Sequence, residues 1–220
     1  MQTILELRKP CVSSLSEMMF ALQDAAQAHS LDLMIDFERM LRDFDCLWMI
    51  ARARITLTRF PTKELRLQTW LRKPSAAVSI RDYAIFDGDE EIGSAVYSWT
   101  LVHATERKIL NMKSIAPVAN APTREPERTG ALKRILLPEA MPERALWTVR
   151  EDEIDSNGHL NNVHYVRHAE ALFPDCNCLE VIYDRECFAG ETLHLQAQDG
   201  FVRGIKDSGE ESFRARFWKE

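Results

Sequence analysis

No run of about 18 consecutive apolar residues occurs in the chain, so no membrane-spanning helix is expected. The opening residues, Met1-Gln2-Thr3-Ile4-Leu5-Glu6-Leu7-Arg8, lack the basic-then-apolar order of a secretion signal. Positive charge is not in excess: 28 Lys and Arg stand against 34 Asp and Glu, a net charge of −6. That balance argues against a nucleic-acid partner. Cysteine is scarce and odd in number: Cys11, Cys46, Cys176, Cys178 and Cys187. Five thiols without a secretion signal point to reduced chemistry and a cytoplasmic location. Cys176 and Cys178 lie too close together for half of a zinc knuckle, and no second pair completes one, so no metal is expected. No other cofactor is expected either.

What is present is ordinary for a globular protein with a sizeable core: 220 residues, 45% hydrophobic and 28% charged. Such a length holds one domain or two small ones. Ile4, Leu5 and Leu7 read as a short strand. Ser14 and Glu17 then make a capping-box pattern, and Leu15, Met18, Leu22, Ala25 and His29 follow as the stripe of a helix. His29 is expected as a packed or capping histidine near that helix's C-terminal end. From Trp48 to Leu57, and again over Leu65–Leu71, Val78–Phe86 and Ala95–His103, the spacing is that of strands. Between Ala116 and Pro142 the pattern dissolves, and five of the nine prolines fall there. This segment is expected as an extended linker.

The order then repeats: a strand at Trp147–Arg150, a helix from about Asn161 to Phe173, and strands over Leu179–Tyr183, Leu193–Ala197 and Phe213–Phe217. Two strand–helix–meander units are predicted, at 1–115 and 143–220, joined by the linker 116–142. One long helix facing one sheet buries its apolar side only if the sheet curls round it. Two such sheets are expected to pair side by side.

The stretch that invites chemistry is Asp155-Ser156-Asn157-Gly158-His159-Leu160-Asn161-Asn162. It alternates a carboxylate, an amide and an imidazole on a turn that feeds a helix. Unpaired N–H groups at a helix start can hold a developing negative charge. Turn and cap chemistry accounts for Asp and Asn here. It does not account for His159 followed by two asparagines. The first unit has Lys9-Pro10-Cys11-Val12-Ser13 at the corresponding place and lacks both amide and imidazole. This asymmetry assigns function to the second unit. His164 and His168, four apart, are expected on a packed or solvated face rather than as metal ligands.

The chain resembles the acyl-acyl carrier protein (acyl-ACP) thioesterases. The residues that carry the likeness are Asp155-x-Asn157-x-His159-Leu160-Asn161-Asn162-Val163-x-Tyr165, and Arg185-Glu186-Cys187, whose glutamate follows His159 by 27 residues. In the first half they are Trp48 with Arg52, Thr69-Trp70, Arg81-Asp82-Tyr83, and Ser98-Trp99 followed by Arg107. His103 departs from the carboxylate or amide expected in the family. The resemblance implies an α+β double hotdog fold, paired as an internal pseudo-dimer. It also implies hydrolysis of the thioester between a fatty acyl chain and the carrier's phosphopantetheine arm, with Asp155, Asn157, His159 and Glu186 as the catalytic set. The expected partner is the acyl carrier protein; whether the chain pairs further into a homodimer is left open. Strand parity from Leu179 through Val181 and Tyr183 points Cys187 inward and Glu186 outward, so Cys187 stands as an alternative nucleophile. An acyl tunnel in the first unit is expected, with Met18, Met19, Leu22 and Trp48 as candidate walls. Seven basic residues against three acidic between Ala104 and Arg134 offer a docking face for an acidic carrier, or simply a solvated linker.

Overall fold

The structure, a computed structural model, describes residues 1–125, 132, 134–155 and 157–220. In chain order the elements are β1 (Ile4–Lys9), α1 (Leu15–Asp32), α2 (Phe37–Phe44), β2 (Cys46–Leu57), β3 (Leu65–Leu71), β4 (Ser79–Asp87) and β5 (Glu90–His103). A single turn, α3 (Ala116–Ala119), opens the connection to β6 (Glu143–Thr148) and α4 (Asn162–Glu170). Then come β7 (Cys178–Tyr183), β8 (Thr192–Gln198), β9 (Phe201–Lys206) and β10 (Glu211–Trp218).

The strands form one ten-stranded sheet in the order β1-β3-β4-β5-β2-β7-β10-β9-β8-β6. Read inward from either edge, each half runs first, third, fourth, fifth, second strand. The predicted repeat is therefore present in the topology, and the halves meet where β2 pairs with β7, from Arg52↔Ile182 to Ile55↔Leu179. Across that seam the Arg54 guanidinium donates to Glu180 Oε2 at 2.9 Å.

Helix α1 begins where the sequence places it. The Ser14 hydroxyl accepts from Glu17 N (3.1 Å), while the Glu17 carboxylate reaches back to Ser13 N (2.7 Å). Leu15, Met18, Leu22, Ala25 and His29 are all buried, and Met19, Ala21 and Ala26 with them. The buried face is wider than one stripe because α1 packs against α4 as well as against β1 and β3. Helix α4 stops at Glu170, short of the expected Phe173. The amides of Leu172 and Phe173 bond the carbonyls of Ala169 and Glu170, three residues back, which tightens the last turn before Pro174.

One apolar core runs through both halves, from Leu22 and Tyr97 to Val166 and Phe213. A smaller cluster of Leu33, Met40, Leu101, Met112 and Val118 lies apart from it. The expected linker is thus not extended at its start. Its first residues form α3, with Val118 buried in the smaller cluster. Pro126 lies outside the described residues.

His29 is fully buried and packed, as expected. Its Nδ1 faces Arg81 at 2.8 Å and its Nε2 faces the Gln2 carbonyl at 2.9 Å. Arg81 offers only protons and the carbonyl only lone pairs, so Nδ1 accepts and Nε2–H donates. Burial pushes the imidazole's pKa down, in keeping with that neutral form. Arg81 is itself buried, and its other bonds go to Thr69 and Ser30 hydroxyls. The guanidinium sits at the C-terminal end of α1, where the helix dipole favours a cation.

Asp87 is the last residue of β4. Its carboxylate accepts from Arg59, from the Thr62 hydroxyl (3.0 Å) and from Lys63 N (2.7 Å). The Arg59 bond, ahead of those from Thr62 and Lys63, holds its pKa well below the usual carboxylate range despite desolvation. A depressed folded-state pKa contributes stability that is present above the unfolded value, near 4, and is lost as pH falls toward the folded one. Asp87→Asn should therefore lower Tm at pH 6 and flatten its decline between about pH 4 and 2. Melting curves of both proteins across that range test this; parallel declines would remove Asp87 from the acid response.

Candidate active site

A one-turn helix at Glu151–Glu153 leads into the polar turn, and an isolated bridge between Ile154 and Leu160 pinches it shut. Inside the pinch, Asp155 Oδ1 accepts from the backbone N–H of Asn157 (2.8 Å) and of His159 (3.4 Å). Asp155 N–H in turn bonds the His159 carbonyl at 2.8 Å. Gly158 has φ 79°, a left-handed value that a side chain would resist. Asn161 caps α4, its side chain accepting from Val163 N at 3.0 Å. Local chemistry thus explains Asp155, Gly158 and Asn161. It leaves the Asn157 amide, 3.5 Å from Asp155 Oδ2, and the His159 ring for something else. Ser156 lies outside the described residues.

The later segment arrives by a different route from the one strand parity describes. Strand β7 ends at Tyr183, so alternation no longer governs the residues after it. The amides of Asp184 and Arg185 both bond the Ser212 carbonyl (2.8 and 3.0 Å). Lys206 Nζ donates to the Glu186 carbonyl at 2.6 Å, and Leu160 N–H donates to the Cys187 carbonyl at 2.8 Å. That last bond ties this segment to the polar turn. Glu186 Oε2 then lies 3.3 Å from His159 Nε2. Cys187 does point inward, but into the core: its thiol is buried against the Ser212 hydroxyl at 2.9 Å. Burial pushes the thiol's pKa up, against smaller opposing effects of Ser212 and Tyr165.

A third participant comes from the first half. Arg107 NH2 lies 3.0 Å from His159 Nε2, and NH1 lies 3.5 Å from Glu186 Oε1. The sequence offered Arg107 only as a matching residue of the resemblance and as one of the basic residues of its stretch. Of those basic residues, Arg124 lies over the Trp70 ring at 5.0 Å. Arg128 and Lys133 lie outside the described residues.

These groups open on a cavity of about 690 Å³, a size usual for small-molecule sites. Asp155, Asn157, His159, Glu186 and Arg107 line it together with Ile50, Trp48 and Trp99 of the first half. Among the expected tunnel walls, Trp48 is in place. Met18, Met19 and Leu22 are instead fully buried between α1 and its sheet and do not line the cavity. His168 stacks on Trp147 with ring centroids 3.9 Å apart and meets the Glu153 carboxylate at 2.7 Å. His164 packs edge-on to Phe20. Among the described residues, no three His, Cys, Asp or Glu side chains gather in a metal-holding arrangement.

The arrangement can place a carboxylate, an imidazole and a guanidinium around one point in a cavity that Trp48, Ile50 and Trp99 also line. Residues 12–115 match the acyl-ACP thioesterase N-terminal domain family. Over 169 residues the chain is 26% identical to a chloroplastic oleoyl-acyl carrier protein thioesterase of Coriandrum sativum, covering 70% of this chain and 44% of that protein. The chain thus spans less than half the length of that relative. In fold it is similar to an acyl-ACP thioesterase of Bacteroides thetaiotaomicron, with TM-score 0.86, 20% identity and coverage of 98% and 97% of the two chains. It is likewise similar to the 12:0-ACP thioesterase of Umbellularia californica, with TM-score 0.77, 18% identity and coverage of 99% and 97%. The fold is the α+β double hotdog that the resemblance implied.

Proposed function

We propose that this chain, whose residues 12–115 match the acyl-ACP thioesterase N-terminal domain family, hydrolyses fatty acyl-acyl carrier protein to free fatty acid and carrier thiol. The observation that carries this reading is the meeting of His159 and Glu186 at 3.3 Å on a cavity to which the first half contributes the apolar side chains of Trp48, Met49, Ile50 and Trp99 among polar ones. In this reading residues 1–115 hold the acyl chain, 116–142 connect, and 143–220 carry the chemistry. The partner is an acyl carrier protein, met in the cytoplasm, where reduced thiols such as these five belong.

Hydrolysis requires a base for water and donors for the oxyanion. Glu186 takes a proton as water's oxygen bonds to the carbonyl carbon. The negative charge that forms on the carbonyl oxygen is met by the Asn162 N–H at the start of α4, since the N–H groups of Asn161, Val163 and His164 already have partners. Asn161 and Asn162 of that helix start line the cavity. Asn157 places its amide toward substrate or water, and Asp155 holds Asn157 and the backbone of His159 in position. When the carbon–sulfur bond breaks, the proton on Glu186 passes to the departing thiolate. The products are fatty acid and the carrier's thiol.

Side-by-side turnover of matched acyl-carrier and acyl-coenzyme A thioesters tests this, with Asn157→Ala as the control for the site. Fatty acid release should be faster from the carrier and should fall about 10²-fold in the variant, the scale of one lost stabilising donor. Preference for coenzyme A would reassign the substrate. No release from either would leave an acyl-binding protein without hydrolysis.

A further inference from the structure

We propose that Arg107 is a positioning residue of this site, lent by the first half of the chain, which selects Glu186 rather than His159 as the base that faces water. The proposal rests on the hydrolytic reading above. Its ground is a conflict at one atom. His159 Nε2 lies 3.0 Å from an Arg107 nitrogen and 3.3 Å from a Glu186 oxygen. A guanidinium can only donate, and a carboxylate can only accept. One imidazole nitrogen cannot serve both, because the first needs its lone pair and the second needs its proton.

The shorter and better-formed contact decides. Arg107 donates to Nε2, so the imidazole proton sits on Nδ1. Glu186 is then left without a proton donor in His159 and is held by the second guanidinium nitrogen at Oε1, 3.5 Å away. Its Oε2 keeps lone pairs for a water proton. Remove Arg107, and Nε2–H can turn to Glu186 Oε2, occupying the lone pair that catalysis needs. Arg107 thus acts through its two neighbours and fixes their roles.

The backbone gives a second, independent sign. Arg107 has φ 56°, a left-handed conformation that arginine rarely adopts. Such outliers persist where the surroundings over-determine them, and they cluster at functional sites. Here the loop is pinned on both sides. Arg107 N–H bonds the His103 carbonyl (3.0 Å), His103 N–H bonds Lys108 (2.9 Å), and Val102 bridges Ile109. The loop leaves β5 of the first half, and the side chain crosses to the turn of the second.

The same strain supplies the test. Glycine suits a left-handed position, so Arg107→Gly should fold at least as well as the parent. Its kcat should nevertheless fall about 10²-fold, the low end of what a positioned base contributes, with KM within a few fold. Added methylguanidinium should restore part of the rate, and Arg107→Lys should lie between. The ¹⁵N spectrum of the His159 ring, identified by its loss in His159→Gln, should show Nδ1–H in the parent and Nε2–H in Arg107→Gly. An active parent with an equally active glycine variant would overturn the proposal, as would an unchanged tautomer. Should the parent hydrolyse no acyl thioester, the hydrolytic reading fails instead, and the tautomer measurement still decides the role of Arg107.

Discussion

Glu186→Gln should reduce kcat for acyl-carrier hydrolysis by about 10²–10⁴-fold, the range a positioned general base contributes, while Cys187→Ser keeps most of the activity. The substitution by glutamine keeps the size and the acceptor oxygen but loses the basic lone pair. Glu186 is partly exposed, and the chain around it is fixed by backbone bonds to Ser212, Lys206 and Leu160, so the fold should not notice the change. Cys187 has the opposite surroundings. Its thiol is buried among apolar side chains with its pKa raised, and the nucleophile of thiol chemistry is the thiolate. Serine in that place still meets the Ser212 hydroxyl. Single-turnover release of labelled fatty acid from both variants decides between them. A dead serine variant beside an active glutamine variant would make Cys187 the reacting group and remove Glu186 from the chemistry.

How much of this was readable beforehand differs from element to element. The strands were legible because their buried faces alternate, as Leu65, Leu67 and Thr69 do, and α1 because its apolar residues recur at three and four. Helix α2 carries the same signal, with Phe37, Met40, Leu41 and Phe44 at three and four behind the Asp36 cap, so nothing physical hid it, although only Met40 is buried. The polar turn was legible as a turn, since Asp155, Asn157 and Gly158 are turn formers for local reasons. Glu186 was legible only through resemblance, because β7 ends at Tyr183 and parity stops meaning anything after it. Arg107 lies 52 residues from His159 and in the other half of the chain. Nothing local announces a contact made by the sheet as a whole. Met18, Met19 and Leu22 misled for a related reason: apolarity marks burial, and burial between helix and sheet looks the same in sequence as a cavity wall.

Gly93→Ala should cost about 3 kcal/mol or more, beyond the usual overpacking penalty, because the obstacle is backbone rather than side chain. Gly93 pairs with Leu57 of β2 and with Ile85 of β4. A Cβ there would collide with the Thr56 carbonyl oxygen and come within 3.0 Å of Leu57 Cα. Strand β2 has no free edge on which to retreat. It is bonded to β5 on one side and, from Arg52 to Ile55, to β7 on the other. The wedge would thus sit beside the strand pairing that joins the two halves among the described residues. Against a total stability of about 5–15 kcal/mol, that is a large fraction. Chemical denaturation measures it, and a loss under 1 kcal/mol would mean the strands part more easily than their pairing implies. The site should respond differently. Arg107 follows the far end of β5, ten residues and about 30 Å along the strand from Gly93. Molecules that remain folded should therefore keep near-parental kcat. That is the reverse of Arg107→Gly, which should spare the fold and lose the rate, so the pair of variants separates what holds the sheet together from what the sheet holds in place.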